Sequence, residues 1–161
     1  MNFVNGRALA RRLACLAAVA TVACGTEPDT TLPSERIREF PFATASPSCA
    51  PWDGPAVAIL LTATADTLPP AAAPYLNVGL YDSRDRLLRR TISWPAETEV
   101  GGASWCVDGD DCMAADSGLV RLDALEDDSV LAGRLRLRFP GGAVLDGSFR
   151  ATWRPRTALC G

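Results

Sequence analysis

The sequence predicts an all-β fold: an antiparallel β-sandwich or small barrel of about seven strands, held by two disulfides. Three observations carry this prediction. Apolar residues in the body of the chain recur with a period of two instead of 3.6. Pro and Gly interrupt them at the short intervals typical of strands, and four of the six cysteines lie in this part of the chain.

The first predicted strands follow one another closely. Residues 56–65 form a nearly continuous apolar run, which suits a central strand. Residues 75–82 alternate apolar and polar side chains, and the polar group that follows predicts a turn into a strand over 87–94. Residues 120–123 alternate again, with Val120 and Leu122 on one face. These segments favour neighbouring antiparallel strands.

The clearest hairpin joins residues 131–139 to residues 143–153 through the loop 140–142. A loop of three residues keeps the apolar positions of both strands on one face, whereas a slip by one residue would turn every side chain over. The predicted register pairs Leu137 with Leu145, Arg136 with Asp146, and Gly133 with Phe149.

Spacing also predicts the disulfides. Cys106 and Cys112 enclose a short polar tip and most naturally pair with each other, which leaves Cys49 to pair with Cys160. The alternative roles are a zinc site or a redox pair. Structural disulfides are favoured because the sequence has no His and no C-x-x-C motif.

The N-terminus has the three parts of an export signal: a start with Arg7, Arg11 and Arg12, an apolar run over 13–23, and a small residue before Cys24. The stretch 21–24 is similar to a lipobox, and the segment resembles the signal peptide of a bacterial lipoprotein. The resemblance implies that residues 1–23 are removed and that Cys24 is acylated, with palmitate or a similar fatty acid. It also implies an outer-membrane or periplasmic location at the cell envelope.

The alternative is a cut after Ala20 by ordinary signal peptidase, which would give a secreted protein. The number of cysteines argues against it. Cys15 is lost with the leader, and a cut after Ala20 leaves five cysteines, one of them unpaired. Acylation of Cys24 leaves an even set of four for disulfides.

Composition divides the mature chain into a tether and one domain. Residues 24–48 are rich in Thr, Pro, Ser and Glu and predict a flexible tether, whereas residues 49–161 predict the β domain. Removal of the leader leaves 13 basic and 19 acidic residues, a net charge of −6, which argues against nucleic acid as a partner. The absence of His removes the usual general base and the commonest metal ligand.

Three groups of residues are candidates for chemistry, and each has a structural alternative. The acidic tip, Asp108, Asp110 and Asp111 with Asp116 nearby, suits calcium or a carboxylate pair, although a solvated hairpin tip is favoured. An arginine stripe of Arg134, Arg136, Arg138, Arg150 and Arg154 suits anionic lipid or polysaccharide, although a solvent face paired with acids is favoured. Four tryptophans, Trp52, Trp94, Trp105 and Trp153, suit sugar stacking, although core packing is favoured.

These observations predict a lipid-anchored envelope protein that acts as a non-catalytic binding or structural module, such as an inhibitor or a carbohydrate-binding module. The alternatives are a calcium-dependent adhesive domain and a small carboxylate-dependent hydrolase. No catalytic, cofactor-binding or metal-binding residue is assigned. The expected partners are the membrane, through the N-terminal lipid, and an envelope protein or polysaccharide.

Overall fold

A computed structural model describes residues 36–65, 72–95, 100–108 and 111–160 of the chain. They form an all-β fold, which confirms the predicted fold class. Its nine strands are β1 Phe42–Cys49, β2 Pro55–Thr62, β3 Tyr75–Leu80, β4 Thr91–Trp94, β5 Gly101–Asp108, β6 Asp111–Ala114, β7 Ser117–Glu126, β8 Val130–Arg138 and β9 Val144–Trp153. The helical elements are single turns: 3-10 turns at Arg36–Glu39 and Pro140–Gly142, and an α-helix, α1, at Arg84–Leu87.

All nine strands belong to one continuous sheet, in the order β4-β7-β8-β9-β1-β2-β3-β5-β6. Neighbouring strands run antiparallel except β1 and β9, which pair in parallel through Thr44 with Thr152 and Ala45 with Trp153. The sheet therefore consists of two antiparallel halves that meet at a parallel seam.

The sheet coils so that strands from both halves surround one core. The rings of Trp105 in β5 and Phe139 after β8 meet edge to face, with their centroids 5.6 Å apart. The connection between β6 and β7 also joins β5 to β8. The N–H of Ala115 donates to the carbonyl of Ala103 in β5, and the N–H of Asp116 donates to the carbonyl of Arg138 in β8. A single coiled sheet corresponds more closely to the predicted small barrel than to two stacked sheets.

Alternating apolar residues fill the enclosed face. On β8, Leu131, Leu135 and Leu137 are buried, whereas the arginines between them are exposed. The β8–β9 hairpin has the predicted three-residue loop and register, which pairs Leu137 with Leu145, Arg136 with Asp146 and Gly133 with Phe149. The strongest period-two pattern in the sequence thus produces the hairpin that it predicts.

The predicted boundary between tether and domain at Cys49 is wrong. Ile37 and Phe40 are buried in the core, and β1 lies in the middle of the sheet between β9 and β2. The strand was overlooked because its inward side chains include small residues such as Ala45, so its composition resembles that of a linker. The folded region therefore includes Phe42–Cys49 and the 3-10 turn before it.

The strand count is also higher than the predicted value of about seven. The short strand β6 pairs with β5 across the acidic tip, and this hairpin has no strong apolar alternation in the sequence. The predicted strand over 87–94 is shortened to β4, because α1 occupies residues up to Leu87.

Both predicted disulfides are formed. Cys49 at the end of β1 is bonded to Cys160 in the C-terminal segment, and Cys106 in β5 is bonded to Cys112 in β6. The first disulfide joins residues 111 positions apart and fixes the C-terminal segment beside β1.

Candidate functional site

The sequence-predicted lipidation site lies outside the described residues. Cys24, the leader 1–23 and residues 24–35 of the predicted tether are not among them. Acylation of Cys24 therefore stays a prediction. Within the described residues, no helix is long and apolar enough to cross a membrane.

The acidic tip lies at the end of the β5–β6 hairpin. Asp108 and Asp111 pair across the two strands and are exposed, and Asp116 is exposed beyond β6. Asp110 lies outside the described residues. Over the described part of the chain, no group of three or more His, Cys, Asp or Glu residues is arranged to hold a metal ion. The solvated tip stays the favoured interpretation, and calcium binding stays its alternative.

The outer surface of β7, β8 and β9 carries ion pairs, and we call it the arginine face. Arg121 and Arg134 both approach Asp123, at 2.9 and 3.5 Å, and Arg136 approaches Asp146 at 4.0 Å. This agrees with the favoured interpretation of most of the stripe as a solvent face paired with acids. Such exposed pairs contribute little to stability individually.

One pair on this face is bidentate. The two terminal nitrogens of Arg150 donate to the two carboxylate oxygens of Glu126, one of them at 2.7 Å. Hydrogen bonding from this guanidinium holds the pKa of Glu126 below its usual range, and the same contact raises the pKa of Arg150.

The four tryptophans have different environments. Trp94 and Trp153 are buried and Trp105 is partly buried, as core packing predicts. Trp52 is 52% exposed at the tip of the β1–β2 hairpin. This turn is closed by hydrogen bonds from the N–H of Ala50 to the carbonyl of Gly54 and from the N–H of Asp53 to the carbonyl of Ala50. Trp52 thus departs from the core packing that holds for the other three tryptophans.

Trp52 lies next to a shallow groove on the outer surface of β1, β2, β3 and β5, which Tyr81 lines. Its ring meets that of Tyr81 edge to face, with centroids 5.2 Å apart. We call this groove of about 440 Å³ the aromatic trough. Its floor contains small or polar residues that alternate with core residues: Ser48, Ala58, Asn77, Gly79, Gly102 and Ser104.

Glycine is needed in this floor because Tyr81 lies on it. A Cβ atom at Gly79 would come 3.0 Å from Cε1 of Tyr81, and one at Gly102 would come 3.4 Å from its hydroxyl oxygen. The paired glycines thus leave room for the ring to lie against the sheet. The described residues that line the trough include no Asp, Glu, Lys or Arg, so the trough presents rings, hydroxyls and an amide.

A second cavity, of about 600 Å³, lies beside the trough. We call it the tail pocket because residues 155–158 of the C-terminal segment line it, together with Arg84 and Asp85 of α1. Its apolar surface includes Pro47, Pro55 and Trp153, and its charged residues are Arg84, Asp85 and Arg156. Both volumes fall within the range of small-molecule sites.

No protein-family model matches the chain, and comparisons with curated proteins and with solved structures find no similar protein.

Sequence reasoning singled out Trp52 only as one of four tryptophans and did not identify Tyr81, Arg84 or Arg156. One signal was available for Trp52: Pro51, Asp53 and Gly54 flank it, and these residues are typical of a tight turn. The other residues come together only through the pairing of distant strands.

Proposed function

We propose that this chain is a non-catalytic binding module of the bacterial cell envelope, anchored through acylated Cys24, and that it binds carbohydrate in the aromatic trough. The observation that carries the proposal is the exposed Trp52 ring beside Tyr81, whose own ring lies over a floor of small residues. Sugar rings present polarised C–H groups that stack on the negative face of an aromatic ring. They also present hydroxyls that exchange hydrogen bonds with amide and hydroxyl side chains.

The chemistry of the floor supports binding without a reaction. Asn77, Ser104 and the hydroxyl of Tyr81 can donate and accept hydrogen bonds, which is what neutral hydroxyl groups of a ligand require. The trough is an open groove and not an enclosed cavity, so a polysaccharide chain can lie in it. Such a surface suits a polysaccharide of the envelope or its surroundings.

The ligand proposal is tested by binding of the purified protein to immobilised polysaccharides, for the wild type and Trp52→Ala. We expect Trp52→Ala to weaken binding by about tenfold or more, because exposed aromatic anchors dominate such surfaces. Leu119→Ala is the matched control, since Leu119 is 43% exposed on β7, away from the trough. Equal binding by Trp52→Ala and the wild type would contradict the proposal.

The anchor proposal is tested by the intact mass of the protein from its native host. We expect a chain that begins at Cys24 and carries acyl mass, with four thiols that appear only after reduction. An unmodified chain that begins at Thr21 would show cleavage after Ala20 and a secreted protein. Two or more acyl chains hold a protein firmly on a membrane, whereas one chain holds it only weakly.

A further inference from the structure

We infer that the tail pocket binds the acidic groups of the same ligand, so that the carbohydrate recognised by this chain carries carboxylates. This inference rests on the proposed function and names its ligand class. The two cavities are adjacent, because Ser48, Ala56 and Val57 line both of them. The two cavities therefore meet at the β1–β2 hairpin, and a ligand that extends from the trough past this hairpin reaches the tail pocket.

The first cation of the pocket, Arg84, is held in place before any ligand arrives. Its guanidinium carbon lies 5.4 Å from the centre of the Trp153 ring, and its Nη2 atom lies 2.8 Å from an oxygen of Asp85. Stacking and pairing reduce the rotamer freedom that Arg84 would lose on binding a ligand. A guanidinium has five N–H donors, so this pairing leaves others for an incoming anion.

The second cation, Arg156, lines the same pocket from the C-terminal segment. The disulfide between Cys49 and Cys160 fixes this segment beside β1. Arg156 is exposed, and among the described residues no carboxylate pairs with it. Among these described residues its charge therefore has no carboxylate partner, in contrast to the paired arginines of the arginine face.

The charges in the pocket favour a singly charged group. Arg84 and Arg156 supply two positive charges and Asp85 supplies one negative charge, which leaves a net charge of +1. A carboxylate matches this charge and also the fork of guanidinium donors. The apolar surface of Pro47 and Pro55 can pack against the uncharged part of an acidic sugar.

The distance between the two cavities indicates an oligosaccharide. From β3, where Tyr81 follows the strand, to the C-terminal segment beside β1 there are three interstrand spacings, or about 14 Å. A single sugar does not span this distance. A chain of acidic sugars can stack one ring near Trp52 and place a carboxylate near Arg156.

The test uses oligomers of galacturonate and of mannuronate with the purified full-length protein, each as the free acid and as its methyl ester. The ester has the same rings and linkage but no charge. We expect the wild type to bind the free acid of at least one oligomer about tenfold more tightly than its ester. Arg84→Gln combined with Arg156→Gln should remove this preference and leave ester binding unchanged.

Two further variants keep the result interpretable. Arg156→Gln alone removes an exposed side chain outside the Trp153 contact, and it should lower the preference even if Arg84→Gln disturbs packing. Arg138→Gln, on β8, removes an exposed arginine from another surface and should change nothing.

Suppose instead that the wild type binds the acid and the ester with equal affinity while Trp52→Ala binds neither. This result would overturn the inference about the tail pocket, but it would agree with the proposed function. A preference that persists in the double variant would also overturn this inference. If Trp52→Ala does not weaken the binding of either the acid or the ester, the result would contradict the proposed function itself.

Discussion

The two halves of the sheet present different surfaces to solvent. On β7, β8 and β9, arginines stand opposite carboxylates, and most of their charge is neutralised within the protein. On β1, β2, β3 and β5, the corresponding positions are small or uncharged, and the Tyr81 ring lies over two of them with Trp52 beside it. Both surfaces cover the same core. The difference is that the arginine face is charged and paired within the protein, whereas the aromatic trough is uncharged.

The largest expected effect comes from removal of the disulfide that fixes the C-terminal segment to the trough half. Cys49→Ala with Cys160→Ala opens a loop of 111 residues, and the chain-entropy model gives a loss of about 4 to 5 kcal/mol of unfolding free energy. Chemical denaturation measures this loss. Cys106→Ala with Cys112→Ala is the control and should lose about 2 to 3 kcal/mol, because its loop is short.

The same pair of variants separates stability from recognition. The variant without the Cys49–Cys160 disulfide should also lose the preference for acidic ligands, since Arg156 is no longer fixed beside β1. The control variant should keep it. A larger loss of stability from the short loop than from the long one would contradict the prediction.

The same substitution of glycine by alanine should have different effects in the two halves of the sheet. A Cβ atom at Gly133 would lie 2.5 Å from the carbonyl oxygen of Arg121 and 2.7 Å from the Phe149 ring. The backbone there cannot move away easily, so Gly133→Ala should lower the unfolding free energy by about 2 to 3 kcal/mol. Thermal or chemical denaturation measures this change.

Gly79→Ala is the counterpart in the trough. Its Cβ atom meets the movable ring of Tyr81 at 3.0 Å, so the loss of stability should stay below about 1 kcal/mol. Displacement of this ring should nevertheless weaken carbohydrate binding by about fivefold. Equal destabilisation by Gly133→Ala and Gly79→Ala would contradict the prediction that the trough half tolerates a Cβ atom better.

The smallest expected effect concerns the bidentate pair on the arginine face. Because Arg150 lowers the pKa of Glu126 in the folded protein, the pair stabilises the fold above the pKa of the unfolded carboxyl group. This contribution is lost as the pH falls through the lower pKa of the folded state. Thermal melting should therefore show Glu126→Gln slightly less stable than the wild type at neutral pH and equally stable in strong acid.

Arg150→Gln should show the same pH dependence, and the double variant should add little to either single change. Carbohydrate binding should be unchanged in all three variants, since Glu126 and Arg150 lie on the face away from the trough. A gap between wild type and Glu126→Gln that widens as the pH falls would contradict the assignment.

Local patterns predicted the parts of the fold that are themselves local. The β8–β9 hairpin follows from alternating Leu and Arg, and the disulfides follow from spacing and number. The position of β1 was missed because its pairing with β9 is parallel and joins residues about a hundred positions apart. A strand of small residues gives no period-two signal strong enough to reveal such a partner.

The trough could not be predicted for a related reason. Ala58, Gly79 and Gly102 are unremarkable in the sequence, and their value as a floor arises only when three strands place them side by side. Likewise, Arg84 and Arg156 are far apart in the chain, and they line one pocket only because α1 and the C-terminal segment both border it.

The parallel seam also determines the order in which the chain can fold. β1 is made first, yet one of its two neighbours is β9, the last strand. Closing this contact requires that most of the polypeptide already be present, and pairings between such distant residues form slowly. The hairpins within each half can form from neighbouring strands, but the two halves join at this seam only after β9 has been synthesised.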